Sequence, residues 1–143
     1  MNVLISACLL GVNCRYSGDG KQIKEADELK VKYNLIPICP EIFGGMATPR
    51  EPSEKRNGGV FSKMGEDVTD YFARGAQEVL RLANFFECKY AILKERSPSC
   101  GYGEIYDGTF SNVIIEGNGV LAELLEQNGI IILGESQIKQ LLI

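Results

Sequence analysis

Short apolar runs alternate with helical stretches along most of this chain, and that alternation restricts the fold more than any other feature. Val3 to Ala7 is a nearly continuous apolar run, and LIPIC (35–39), Tyr90 to Leu93 and Ile130 to Leu133 repeat the pattern. Runs of this length without polar alternation suit strands covered on both faces of a parallel sheet. Between the first two, Ala26, Leu29 and Tyr33 recur at helical spacing among charges, giving a βαβ unit. Val68, Phe72, Ala76, Val79, Leu80 and Ala83 predict a long amphipathic helix with Asp67 as its cap. Val120 to Asn128 reads as another helix closed by Gly129, and SQIKQLLI (136–143) as a last one. The expected fold is α/β: a single three-layer, Rossmann-like domain over residues 1–143 with a mainly parallel sheet.

Two stretches break the alternation. Residues 44–67 are rich in Gly, Pro, Ser and charge and show no period, so they are read as one long functional loop. Asp107-Gly108, between Ile105-Tyr106 and Thr109-Phe110, carries the dipeptide of a type I′ hairpin turn, and Val113 to Ile115 reads as a short strand after it.

Chemistry is narrowed by what is missing. With no histidine among 143 residues, imidazole acid–base catalysis, the Ser-His-Asp triad and His-ligated zinc are excluded. A net charge of −4 and the lack of a long basic run argue against a strong nucleic-acid signature and favour a small-molecule partner. No run reads as a membrane span. Five cysteines, an odd number without secretory features, point to a reducing cytoplasm where thiols serve metals or catalysis. Ile5-Ser6-Ala7-Cys8 looks superficially like a lipoprotein cleavage site, but its apolar run is too short and no basic residue precedes it.

Position makes three of the cysteines informative. Any one of them taken alone reads as a small buried hydrophobe. Cys8, Cys39 and Cys100 each stand where an apolar run gives way to a turn. An open α/β sheet collects such strand ends at one edge, where ligands bind. Three thiolates there could hold an iron–sulfur cluster with one iron left open. Cys14, in the first glycine-rich loop, could add a fourth thiolate and close the site as structural zinc or a closed cluster. Cys88 precedes a strand and belongs at the opposite edge. A metal-free enzyme with one acidic thiol is the remaining alternative. Arg15 and Arg50 lie in loops facing the same edge, where a guanidinium could clasp a substrate carbonyl or phosphate. The loop GVNCRYSGDGK fits neither dinucleotide-binding nor P-loop spacing.

The segments SACLLG (6–11), RYSG (15–18), CPE (39–41), TPREP (48–52), ILK (92–94), SPSCG (97–101) and YDGTF (106–110) resemble the family named domain of unknown function 523, which includes the thiouracil desulfidases. The resemblance runs through most of the chain. It implies a 4Fe-4S cluster on Cys8, Cys39 and Cys100, with one open iron, and a small thiolated pyrimidine as substrate. It implies a non-redox desulfuration in which the thiocarbonyl sulfur leaves as hydrosulfide and oxygen from water replaces it. It also suggests Glu41 and Ser97 as catalytic residues: Glu41 to move protons between water and the ring nitrogen, and Ser97 to relay or orient. Whether the substrate is a free base or a nucleotide, and the oligomeric state, stay open.

Overall fold

The computed structural model describes residues 1–142. Four strands, β1 (Asn2–Ser6), β2 (Asn34–Ile38), β5 (Tyr90–Leu93) and β8 (Ile131–Gly134), form one parallel sheet in the order β2-β1-β5-β8. Helices α1 (Ala26–Lys32), α2 (Pro40–Phe43), α3 (Thr69–Phe85) and α4 (Val120–Gln127) connect them. The α/β reading therefore holds.

The period of two along β1 assigns each face of the sheet. Leu4 joins Ala76, Val79, Leu121 and Leu125 of α3 and α4, while Val3 and Ile5 join Leu29 of α1 and Ile138 near the C-terminus. Those side chains are fully buried or nearly so, which is the burial that sustains three layers. β2 is an edge strand, and Pro37, which cannot donate to a ladder, is accommodated there. From β1 the chain first moves outward to β2 and then crosses back to β5. The order therefore reverses between β1 and β5, and the crevice beyond their C-terminal ends is where such sheets take ligands.

Residues 44–67 differ from the expected loop. They contain a hairpin of β3 (Ser53–Arg56) and β4 (Gly59–Ser62), turned by Asn57 and Gly58, both with positive φ, 52° and 78°. Asn-Gly is itself a strong I′ signal. It was obscured because SEKR carries no apolar alternation.

The second hairpin also differs. β6 (Glu104–Tyr106) pairs with β7 (Ile114–Glu116), joined through 107–113 rather than a two-residue turn. Asp107 Oδ1 accepts from both the amide and the hydroxyl of Thr109, and Glu54 Oε1 accepts from the amides of Gly108 and Phe110. Those bonds favour an Asx turn over the I′ form.

The long helix begins at Thr69, with Asp67 Oδ1 taking the Thr69 amide just before it. The terminal segment is a 3-10 helix over Glu135–Leu141. The last residue of the expected helix, Ile143, lies outside the described residues. Among the described residues no helix is long and apolar enough to cross a membrane.

Candidate active site

Cys8 and Cys39 stand just after strands of the central sheet, and Cys100 lies farther along the chain that leaves β5. β1 ends at Ser6, and Cys8 lies in the 3-10 turn Ala7–Leu10. β2 ends at Ile38, with Cys39 next and α2 starting at Pro40, a residue pre-set for the first helical position. After β5 the chain reaches Cys100 through a turn closed by the Gly101 amide on the Ser97 carbonyl, 2.9 Å.

Two glycines let these segments sit where they do. A Cβ on Gly75 of α3 would lie 1.7 Å from the Pro40 carbonyl oxygen, so only glycine lets the Cys39-Pro40-Glu41 backbone rest on that helix. A Cβ on Gly119 would lie 2.5 Å from the Ser99 carbonyl. There the Pro98 and Ser99 carbonyls accept from Val120 and Leu121, both at 2.9 Å, so the cysteine loop satisfies orphan donors at the start of α4.

The three thiols lie near enough for charge on one to act on the others, Cys39 on Cys8 and both on Cys100. Burial pushes the Cys8 thiol up to about 11, opposed by the Lys94 charge and reinforced by Cys39. Burial also pushes Cys100 well up, with Cys8 and Cys39 adding to it. Cys39 goes the other way. A hydrogen bond from the Cys14 thiol lowers it to about 7, against desolvation, and the same bond holds Cys14 well up.

Among the described residues no three His, Cys, Asp or Glu side chains are grouped as a site for a single metal ion. A cluster places each thiolate on a different iron and spaces them more widely. Three soft sulfur donors that sense one another across the sheet mouth fit that group. Cys88 stands apart, buried just before β5.

Glu41, in the first turn of α2, is gripped from two sides. Its Oε1 accepts from Arg50 Nε at 3.0 Å and its Oε2 from Ser99 Oγ at 2.9 Å. Arg50 also donates to the carbonyls of Ala47 and Cys14 and to Thr48 Oγ1. Its guanidinium thus ties the TPREP segment, the Cys14 loop and Glu41 together, leaving one Nη2 hydrogen uncommitted among the described residues. Arg15 is placed differently: its Nη1 pairs with Asp19 at 3.4 Å, and its charge reaches Cys8.

Ser97 does not touch Glu41. Its Oγ accepts from the amides of Ser99 and Cys100, both at 3.1 Å, which fills its lone pairs. Its own hydrogen is then directed to Ser99 Oγ, 2.9 Å away, and Ser99 passes its hydrogen to Glu41. The hydroxyl chain is directional, from Ser97 through Ser99 to the carboxylate. Ser99 was missed in the sequence, although its place beside Cys100 in SPSC was a signal. Ser6, Lys94 and Glu135 were also missed. Ser6 Oγ donates to Cys100 Sγ at 3.3 Å, and Lys94 Nζ pairs with Glu135 Oε1 at 3.0 Å at the same edge.

Fold and site thus define an α/β protein whose sheet mouth carries three thiols and a clamped carboxylate. The family model of 2-thiouracil desulfurase matches residues 3–137, and the chain belongs to that family. A Bacillus subtilis (strain 168) relative, the uncharacterized protein YbbK, is 39% identical over 150 residues, covering 98% of this chain and 99% of that one. Among solved structures, the 4Fe-4S-dependent thiouracil desulfidase TudS superposes with a TM-score of 0.93 at 41% identity, covering 98% of this chain and 94% of that one.

Proposed function

We propose that this protein is a 4Fe-4S-dependent thiouracil desulfidase that takes sulfur from a small thiolated uracil, with Cys8, Cys39 and Cys100 holding the cluster. The observation that carries the reading is Glu41, two residues along the chain from Cys39 and fixed between Arg50 and Ser99. Kinship with TudS supplies the cofactor and the substrate class. When bound through three cysteines, the cluster supplies an open, sulfur-seeking Lewis-acidic iron.

The chain's own residues do the proton work. Glu41 keeps lone pairs on both oxygens beyond the bonds from Arg50 and Ser99, so it can take the proton of an attacking water. It can then pass that proton to the departing sulfur, which leaves as hydrosulfide, while the added oxygen gives its second proton to solvent and the thiocarbonyl carbon becomes a carbonyl; the ring nitrogen keeps its own proton. The Ser97–Ser99 chain holds a hydrogen-bond donor on Glu41 throughout and keeps the carboxylate aimed. Arg50, with nearly all its donors committed, serves chiefly as a strut, and its remaining hydrogen is the one available to a substrate oxygen. Arg15, at the loop edge beside Cys8, is the freer of the two guanidinium groups for substrate.

No three Cys, His, Asp or Glu side chains among the described residues are grouped closely enough for one metal ion, which counts against a single zinc ion. The acidic Cys39 is what a metal-free thiol enzyme would use. The experiment is anaerobic: protein reconstituted with iron and sulfide is given 2-thiouracil and, separately, a 4-thiouracil nucleotide, and released sulfide is measured. Sulfide from the loaded protein and none from apoprotein is expected. A loaded protein that releases none from either compound overturns the proposal, and turnover by metal-free protein moves it to the thiol enzyme.

A further inference from the structure

Ser6 is the last residue of β1, 2% exposed, and its hydroxyl has two partners. The Lys94 amide, at the end of neighbouring β5, donates to Ser6 Oγ at 3.0 Å. An amide can only donate, so Ser6 must place its own hydrogen elsewhere. The acceptor is Cys100 Sγ at 3.3 Å, a short contact for an O–H and a sulfur. Ser99 Oγ is 3.8 Å from the same sulfur, but its hydrogen is directed to Glu41 at 2.9 Å. Ser6 is therefore the close hydroxyl donor to Cys100, and the Lys94 amide, one residue past β5, sets its direction.

We infer that Ser6 is a positioning residue for the cluster: its hydroxyl, oriented by the Lys94 amide, hydrogen-bonds the Cys100 sulfur when that sulfur is a cluster ligand. This rests on the ligand assignment proposed above. A donor on a ligand thiolate draws off negative charge. That stabilises the more negative, reduced cluster most and raises its reduction potential. Partners of this outer kind also secure the metal, and their loss costs roughly 10- to 100-fold in metal affinity or activity. Neither Ser6 nor Lys94's amide touches substrate in this role, so the effect is on the cluster before any turnover.

The test compares wild type, Ser6→Ala and Ser6→Thr after anaerobic reconstitution. It reads iron and acid-labile sulfide, the midpoint potential, and the rate of iron loss to a chelator. Folding of each apoprotein is checked by circular dichroism. Ser6→Ala is expected to fold and take up the cluster, to show a lower potential, and to lose iron roughly tenfold faster. Ser6→Thr, which keeps the hydroxyl, should lie close to wild type. A Ser6→Ala protein with wild-type potential and iron retention overturns the inference. So does one that cannot fold without metal, because Ser6 is then a purely structural residue. A wild type that takes up no cluster defeats the ligand assignment itself, an outcome distinct from both.

Discussion

Arg50 Nε donates to Glu41 Oε1 at 3.0 Å, and the two side chains are only 7% and 15% exposed. An ion pair this enclosed is costly to leave half made, because the surviving charge stays buried without its partner. It also ties down a stretch, residues 44–52, that belongs to no helix or strand. Arg50 lies in the TPREP stretch, Glu41 in α2, and the same guanidinium holds the Cys14 carbonyl at 2.9 Å.

Arg50→Met should therefore destabilise the apoprotein by about 3 to 5 kcal/mol in chemical denaturation, the cost of breaking a buried pair. Arg50→Lys should recover only part of this, since an ammonium cannot reproduce the planar fork that reaches Glu41, Thr48 and two carbonyls together. Equal stability for the Lys and Arg proteins would contradict the strut role.

Glu41→Gln keeps an acceptor oxygen for Arg50, turns a donor toward Ser99 and loses the base. The loaded variant is expected to retain its iron and to lose roughly 100-fold or more in sulfide release. Turnover at the wild-type rate removes Glu41 from the proton work.

Separating the two hydroxyls gives a sharper test of the relay. Ser99→Ala cuts the bond to Glu41 and leaves the Ser97 hydrogen without its acceptor, so it should lower turnover on the order of tenfold, with a smaller stability cost than Ser97→Ala. Ser97→Ala also strips the amides of Ser99 and Cys100 of their acceptor, so it should cost stability as well, about 1 to 3 kcal/mol. Stability losses in the reverse order would contradict the assigned direction.

Thiol reactivity in the metal-free protein should follow pH at one residue. Cys39 is partly exposed and held near pH 7 by the Cys14 thiol, whereas Cys8 is buried and pushed up to about 11. Alkylation of Cys39 should be slow below pH 6, where it is protonated, and approach its plateau by pH 8, where it is thiolate. Cys14→Ala removes the hydrogen bond that stabilises the thiolate and should move this midpoint upward. Peptide mapping of alkylated protein across pH reads both. Labelling of Cys8 ahead of Cys39 at pH 7 would contradict the assignment.

Much of the site was legible because the sheet fixes it. Cys8, Cys39 and Cys100 follow strands that show as apolar runs, and parallel strands bring their C-terminal ends to one edge. Partners were harder to read. Nothing in the spacing of Arg50 and Glu41, or of Ser6 and Cys100, announces a contact, since each depends on how distant segments pack. Gly75 is the plainest case: inside a helical pattern it looks like a weak residue, yet the Pro40 carbonyl needs the space its missing side chain leaves. The hairpin at 53–62 was hidden because its Asn-Gly turn is flanked by charge rather than by alternating apolar residues.

That packing also makes a prediction. Gly75→Ala must push the Cys39-Pro40-Glu41 backbone off α3, a strain of the overpacking kind worth about 1 to 3 kcal/mol. Its loaded form should hold iron poorly and release little sulfide, although the substitution lies on α3 and adds only a methyl group. Unchanged iron content and turnover would mean that the close approach is not needed to place Cys39 and Glu41.

The central claim is that Cys8, Cys39 and Cys100 together hold a cluster while Cys14 does not. Iron and acid-labile sulfide, with an anaerobic spectrum, measured on wild type and on single Ser replacements at all four positions, test it most directly. The expected result is near-complete loss of iron and sulfide at Cys8, Cys39 and Cys100, with retention at Cys14. Equal loss at all four would contradict the three-ligand site and make it a closed, four-thiolate one.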